Sequence, residues 1–591
     1  MPRHVFTVSI IFVIAFDCSI SEQKCGKVEN CPETKYRSLD GSCNNLKHPE
    51  WGMAMTRFRR LLPAEYGDGI RSFRRSKSGK SLPNARKVSE TLFPLTVIPD
   101  KDYTLAQMQY GQIITHDIAQ GGGLNDLFCC TEHLQYLNKT EQAPNCLPIA
   151  VPKNDPFYSK YDAKCISFAR SLTDRDLNCG KENKPVQQIN KVNSFLDLSI
   201  IYGNNKKVHD YMRLGTGGLL KTRKYKDQEW PLQDLNPSES CALAKKNDTC
   251  YYPSDPRINQ HPHLALLHII FYREHNRIAK SLAEINSHWD DNTLFEEARK
   301  INIAQHQHVS YYEWLSLFMN VTTLREDDPV GYVDEYDENV DPGVLSEHNN
   351  AAFRIHTQIA GQLHLVEEDR GVEGTLRLSD WYLRPYVLEE RNNFELLARG
   401  LSTQRSMAAD VYHDKEITHH WFRRTSIGYD LRAIDIQRSR DTGVPTYNKA
   451  RALCNLSVAA SFDKLVDIPK HIQEKLARLY ETVDDVGLLV GGAVEDVPQG
   501  YAIGPTFQCI LLIQFGRTRA GDRFWYERSG ETGFTLDQLQ EIRKASFSRL
   551  ICDNAKGVKR MQPKGFKKLS SSNQLVDCQF LPSVNLSLWK I

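Results

Sequence analysis

Three residues of this chain have types that together could split a peroxide O–O bond. They are His116 in Tyr110-Gly-Gln-Ile-Ile-Thr-His-Asp117, Arg257 in Ser254-Asp-Pro-Arg-Ile-Asn-Gln260, and His356 in Ala351-Ala-Phe-Arg-Ile-His356. A neutral base takes a proton from the bound oxygen and returns it to the leaving oxygen. A fixed cation stabilises the charge that develops on the leaving oxygen. An axial ligand supplies electron density to iron. His116, Arg257 and His356 would serve in that order. Each also has an ordinary structural reading, as a buried hydrogen-bonded histidine or an arginine paired with a carboxylate.

The elements that must position them read as helices. Thr104–Ala119 ends just before the stop signal Gly121-Gly-Gly123, which puts His116 at a helix end where it can face a cavity. Gln112, four residues earlier, shares that face and could donate to a ligand held over the histidine. Leu264, Leu267, Phe271, Ile278, Leu282 and Ile285 recur at helical spacing over Pro262–Asn286. Leu294, Ala298, Ile301, His308, Tyr312 and Leu315 continue the pattern. Capping boxes are expected at Thr104…Gln107, Thr293…Glu296 and Thr535…Gln538. Strand-like alternation is scarce. The pattern predicts a mainly α fold with little β, without linker, repeat or low-complexity tract, in one large unit over 22–591.

Residues 1–21 read as a secretory signal: Met-Pro-Arg-His, an apolar run from Val5 to Phe16, then Ser19 and Ser21. The apolar run is too short to span a bilayer. The expectation is a secreted, extracellular protein with no membrane partner. Of fifteen cysteines, Cys18 lies in the signal, and the even remainder suggests disulfides. The adjacent Cys129 and Cys130 read as structural, with Cys146 a plausible partner for one. Sequons at Asn138, Asn247, Asn320, Asn455 and Asn585 agree with a secretory route. The net charge of +2 makes no case for nucleic acid. The basic run Arg71–Lys80 reads as a solvated loop.

Several ordered motifs carry a resemblance. They include Tyr36-Arg-Ser-Leu-Asp-Gly-Ser-Cys-Asn-Asn45, Leu82-Pro-Asn-Ala-Arg86, Arg273-Glu-His-Asn-Arg277, Ile434-Asp-Ile-Gln-Arg438-Ser-Arg-Asp441, Gly521-Asp-Arg-Phe-Trp525 and Ser548-Arg-Leu-Ile-Cys-Asp553. The chain resembles the animal haem peroxidases (the peroxidase–cyclooxygenase superfamily) over nearly its whole length. Within them it is similar to the secreted insect branch, which includes salivary enzymes of the catechol-oxidising type.

The resemblance implies His116 as the distal acid–base histidine, Gln112 as the distal glutamine, Arg257 as the distal arginine and Arg438 as a haem-propionate partner. It implies a calcium site with Asp117, Asp197 and Ser199 ligating through side chains, Phe195 through its carbonyl, and Asn193 where threonine is commoner. All are oxygen donors, as a hard cation requires. It further implies the bridges Cys31–Cys43, Cys241–Cys250, Cys454–Cys509 and Cys552–Cys578.

Four departures from the family matter. Thr115 and Gln260 stand where mammalian members have ester-forming carboxylates, so haem b is expected without ester links. His261 stands where one member has a haem-linked methionine, which makes hypochlorous acid production an unpromising activity. The proximal segment reads Arg354-Ile355-His356, one residue shorter than usual, and leaves His364 as a rival ligand. Asp435 replaces the asparagine that usually steadies the proximal imidazole, and a carboxylate there predicts a lower iron potential. The expected reaction is peroxide-driven oxidation of small aromatic donors, phenols or catechols. The alternatives are oxidation of iodide or thiocyanate, and an adhesion protein that keeps the fold; neither Arg-Gly-Asp nor Lys-Gly-Asp occurs.

Overall fold

The computed structural model describes residues 26, 28, 30–122, 128–138, 143–238, 240–243, 245, 248–318 and 331–591. The expected signal peptide and the sequons at Asn247 and Asn320 lie outside them. Asn138, Asn455 and Asn585 are exposed.

Helices dominate. The ones that bear on the site are α1 (Ala85–Leu92), α2 (Leu105–Ile118), α3 (Pro262–Ile285), α4 (Asp291–His308), α5 (Asn393–Thr403), α6 (Leu431–Asp441) and α7 (Pro505–Ala520). Among the described residues the sheets are two-stranded antiparallel pieces. Among these are the pair β1 (Pro99–Thr104) with β4 (Arg405–Met407) and the hairpin β2 (Gln362–Val366) with β3 (Val372–Arg377). The mainly α fold in one large domain is as expected.

Helix α3 starts with Pro262 in its first turn, where the missing N–H costs nothing. Nearly every residue from Pro262 to Tyr272 is buried, so this half is wrapped on all sides by α2, α4 and α5. Only one of the three expected capping boxes forms, at Thr535 and Gln538. Thr104 is the last residue of β1, and its hydroxyl donates to the Gly565 carbonyl at 2.8 Å instead of capping α2. Asp290 opens α4 three residues before Thr293, whose N–H it accepts. A carboxylate at the N-cap outcompetes the threonine that follows it.

Helix α4 does not end cleanly. It passes into a π-helical segment over Val309–Trp314, a geometry that often marks functional sites. A second π-helical turn over His348–Ala352 precedes His356. The closest packing of the distal helix falls at Gly111, where a Cβ would meet the Trp314 ring at 2.9 Å.

Among the described residues six disulfides pair Cys31–Cys43, Cys129–Cys146, Cys130–Cys165, Cys241–Cys250, Cys454–Cys509 and Cys552–Cys578. They include every pairing expected. Among the described residues no helix is long and apolar enough to cross a membrane. The basic run is not simply solvated: Arg74, Lys77 and Lys80 pair with Glu65, Asp484 and Glu481.

Candidate active site

Helix α2 delivers His116 in its last turn, and the loop before α3 delivers Arg257. The two are tied through the backbone: Arg257 Nη2 donates to the His116 carbonyl at 2.7 Å and Nη1 to the Ala119 carbonyl at 2.8 Å. The other edge of the guanidinium is held by buried Asp255, with Nε to Oδ1 at 2.8 Å and Nη2 to Oδ2 at 2.6 Å. Arg257 is thus anchored beside His116 and paired with a carboxylate. Burial would raise the Asp255 carboxyl, but Arg257 more than offsets this and holds it below the usual range. Asp255 was missed by sequence reasoning. Its signal was the Asp-Pro-Arg spacing, in which the proline limits the backbone between acid and base.

The His116 ring is 8% exposed, and its buried Nδ1 has no hydrogen-bond partner among the described residues. Burial, followed by the Arg257 charge, holds the imidazole well below its ordinary pKa. It is therefore neutral at physiological pH, as a base must be. Gln112 reaches across to the Arg257 loop. Its Nε2 donates to Gln260 Oε1 at 3.0 Å, and its Oε1 lies 2.9 Å from His261 Nε2. The amide is held between two neighbours on that loop, with one of its two N–H donors engaged. Thr115 donates to the Gly111 carbonyl at 3.0 Å, along its own helix.

His356 opens a short 3-10 turn, and its Nδ1 lies 2.6 Å from Asp435 Oδ2 on α6. This contact fixes the ring and leaves Nε2 as the ring's remaining donor atom. The side chain keeps 23% of its surface open. Asp435 is fully buried. Burial would raise its carboxyl, but His356, Arg354 and Arg432 together hold it ionised, below the usual range. Arg354 Nη1 lies 3.6 Å from Asp435, and its charge also depresses His116. The surroundings of His116 and of Asp435 therefore share one cation. The rival His364 sits mid-strand in β2, opposite Thr375, with its backbone N–H on Gln404.

Arg438 lies one turn beyond Asp435 on α6. Its Nη1 contacts the Ala169 carbonyl and Ser171 Oγ, while Nε and Nη2 make no hydrogen bond among the described residues. Burial lowers the guanidinium to about 10, so it remains a cation. A fixed imidazole and, one turn along α6 from its carboxylate partner, a cation with unengaged donors fit an iron porphyrin bearing carboxylates.

Asp117 turns away from this pocket. It accepts from the Leu198 N–H at 2.9 Å and from Ser199 Oγ at 3.1 Å. Ser199 in turn donates its N–H to Asp197 Oδ1 at 3.1 Å, and Asn193 Nδ2 donates to Asp197 Oδ2 at 3.0 Å. Phe195 is buried in the same loop. Burial and then the Asp117 charge push the Asp197 carboxyl up to about 7. The buried carboxylates of Asp117 and Asp197, with the oxygen donors of the same loop, fit a hard metal ion. Among the described residues there is no cluster of three His, Cys, Asp or Glu, consistent with a donor set completed by amide, hydroxyl and carbonyl oxygens.

His275 is a core residue, bonded to Tyr202 and the Gly218 carbonyl. His419 stacks on Phe157 at 3.9 Å.

The family model for animal haem peroxidases matches residues 36–566. A Drosophila melanogaster peroxidase is 44% identical over 574 residues, covering 95% of this chain and 83% of the relative. A Drosophila melanogaster chorion peroxidase is 34% identical, covering 96% and 72%. Among solved structures, peroxidase A from Dictyostelium discoideum superposes with a TM-score of 0.75 at 25% identity, over 91% of this chain and all of that one. An Arabidopsis thaliana fatty acid alpha-dioxygenase, 18% identical with a TM-score of 0.71, shares the fold.

Proposed function

Since this chain belongs to the animal haem peroxidase family, we propose that it uses hydrogen peroxide to oxidise small phenols or catechols outside the cell, with haem b held without ester bonds. The observation that carries the peroxide step is the pairing of a neutral His116 with the anchored Arg257. The chemistry that haem supplies when bound is two-electron reduction of peroxide at its iron.

The chain's own residues do the rest. His116 removes a proton from the bound oxygen and delivers it to the leaving one. Arg257, held by Asp255 and two carbonyls, needs no reorganisation to stabilise the charge on the leaving oxygen. His356 would hold the iron through Nε2, and Asp435 accepts the Nδ1 proton. Arg438 would meet a propionate. Thr115 and Gln260 offer no carboxylate, so nothing at these two positions can form an ester. Asp117, Asn193, Phe195, Asp197 and Ser199 would hold calcium and tie α2 to the following loop.

The secreted reading rests on the disulfides and on the N-terminal sequence pattern. The test of donor class is competition between catechol and iodide at fixed peroxide, followed by acidic organic extraction of haem. Preferential catechol oxidation with freely extracted haem supports the proposal. Preferential iodide oxidation makes the enzyme an anion oxidase, and haem retained by the polypeptide overturns the reading of Thr115 and Gln260.

Asp435→Asn should raise the ferric/ferrous midpoint by about 60 mV, the one-electron equivalent of the ~1.4 kcal/mol separating a charged from a neutral acceptor. Spectroelectrochemical titration checks it, and an unchanged midpoint would show that the carboxylate does not tune the imidazole.

For the calcium site, Asp197 has a folded pKa raised above its unfolded value. In chelator-treated protein its contribution is present below about pH 4 and is lost as pH rises toward 7. Calcium at about 100 times its dissociation constant should restore ~2.7 kcal/mol. Denaturant unfolding at pH 7.5 with and without calcium reads this, and Asp197→Asn should remove most of the gain.

A further inference from the structure

A line of oxidisable side chains leaves the active site and ends at a surface cleft. Trp314, fully buried in the π-helical segment, packs on the helix that carries His116 and on the segment that carries His356. Its ring lies against Gly111 of α2, and its centroid is 5.6 Å from Phe353, three residues before His356. From Trp314 the ring of Phe515 is 6.1 Å away, Tyr311 is 5.6 Å beyond it, and Trp525 is 4.6 Å from Tyr311. Tyr526 follows at 5.6 Å. All five are 2% exposed or less.

Tyr526 lies just beneath the surface, 2% exposed. It helps line an open cleft with Tyr36, Phe524, Phe534 and Lys300. The enclosed part of the cleft, about 20 Å³, has room for a water and not for a ring, so an aromatic donor would rest against its aromatic rim. Lys300 lies 4.5 Å from the Phe534 ring centre and donates to the Gly533 carbonyl, and its charge can attract a phenolate or a carboxylate on the donor.

The last two residues are also prepared to lose protons with electrons. Trp525 Nε1–H donates to the Glu527 carboxylate at 3.0 Å, and the Tyr526 hydroxyl lies 2.9 Å from His308 Nδ1. Burial keeps the Tyr526 phenol protonated, so its oxidation needs an adjacent base. Tyr311 differs: its hydroxyl donates to the Phe515 carbonyl, which takes up no proton at neutral pH. Its ring serves as a conductor, and the proton-coupled site is Tyr526.

We propose that Tyr526 is a second site of one-electron oxidation, wired to the haem pocket through Trp314, Tyr311 and Trp525, for phenolic donors too large to reach the haem. The inference rests on the aromatic-donor reading above. In each round Tyr526 passes one electron through Trp525 to the peroxide-oxidised centre and its phenolic proton to His308. A phenol resting on the rim of the cleft then returns one electron, His308 returns the proton to the Tyr526 oxygen, and the donor's proton goes to solvent. Two rounds consume one peroxide. They yield two donor radicals and two waters, into which two protons equal to those released are taken up.

The test treats the haem-loaded enzyme with peroxide and a nitroso spin trap and locates the adduct by peptide mass spectrometry. In parallel, rates are measured with free catechol and with a phenol coupled to dextran. The native enzyme should carry an adduct on Tyr526. Tyr526→Phe should lose that adduct and at least about tenfold of the dextran-phenol rate, with the catechol rate unchanged. His308→Gln leaves the phenol but removes the proton acceptor, so it should lower the same two readouts even if Tyr526→Phe does not fold. Catechol oxidation with no adduct at Tyr526 or Trp525 overturns the relay alone, as does an undiminished dextran-phenol rate in both variants. An adduct and dextran-phenol turnover without catechol oxidation would overturn the small-catechol reading and keep the relay.

Discussion

Replacing His116 with alanine should slow the reaction of the enzyme with peroxide by about 10²–10⁴-fold, or ~3–5 kcal/mol of barrier, without releasing haem. The loss follows from what the pocket lacks. The charged groups around His116 are Arg257, already committed to Asp255, and Arg354, beside Asp435. Gln112 is bound to Gln260 and is not a base at neutral pH. The nearby imidazoles are His261, whose Nε2 is bound to Gln112, and His268, a buried residue of α3, so His116 is the base that stands beside the anchored Arg257. The pH profile carries the same information with its sign fixed. Burial and Arg257 depress the His116 pKa well below 6.5, and the neutral ring is the working form. The native rate should therefore stay flat as pH falls through 6.5 and decline only at markedly more acidic values. Stopped-flow measurement across pH 4–8 reads both effects. A profile with its midpoint near 6.5, or a variant within threefold of the native rate, would remove His116 from the base role.

The parts of this site that the sequence revealed are those written as residue type within a long periodic element. The helix carrying His116 and the long helix after Arg257 were legible from spacing, and their observed ends differ by one residue from expectation. The positions of His116, Arg257, His356 and the disulfides came from ordered motifs. The contacts that were not legible are choices among several plausible partners. Nothing in Thr104…Gln107 shows that Thr104 closes a strand first, so that its hydroxyl goes to Gly565. Nothing in Gln112 shows that Gln260 and His261 will reach it before a ligand does, because those residues are 148 and 149 positions away. The Trp314 contact with Gly111 was hidden for the same reason. A glycine inside a helix costs roughly 1 kcal/mol against alanine, and only the tryptophan packed against it explains its presence.

The short proximal segment poses the remaining choice, and His356→Ala should settle it by abolishing stable haem binding. Loss of a group that only orients a metal ligand typically weakens binding by about 10–100-fold, and Asp435 is such a group. Loss of the ligand itself should exceed that. The argument for His356 over His364 is geometric. His356 has one nitrogen fixed by a buried, ionised carboxylate, and its ring remains partly open. His364 lies within a β-hairpin, where its backbone is committed to the ladder and to Gln404, and burial lowers its pKa with no carboxylate to orient the ring. A missing glycine before His356 shortens the approach by one residue, and the 3-10 turn that begins at His356 lets the chain turn directly after the ligand. Haem titration of the two alanine variants separates them. His364→Ala should retain near-native affinity and a peroxide-responsive haem band, while His356→Ala should retain neither. The reverse pattern would move the iron to the strand and strip Asp435 of its tuning role.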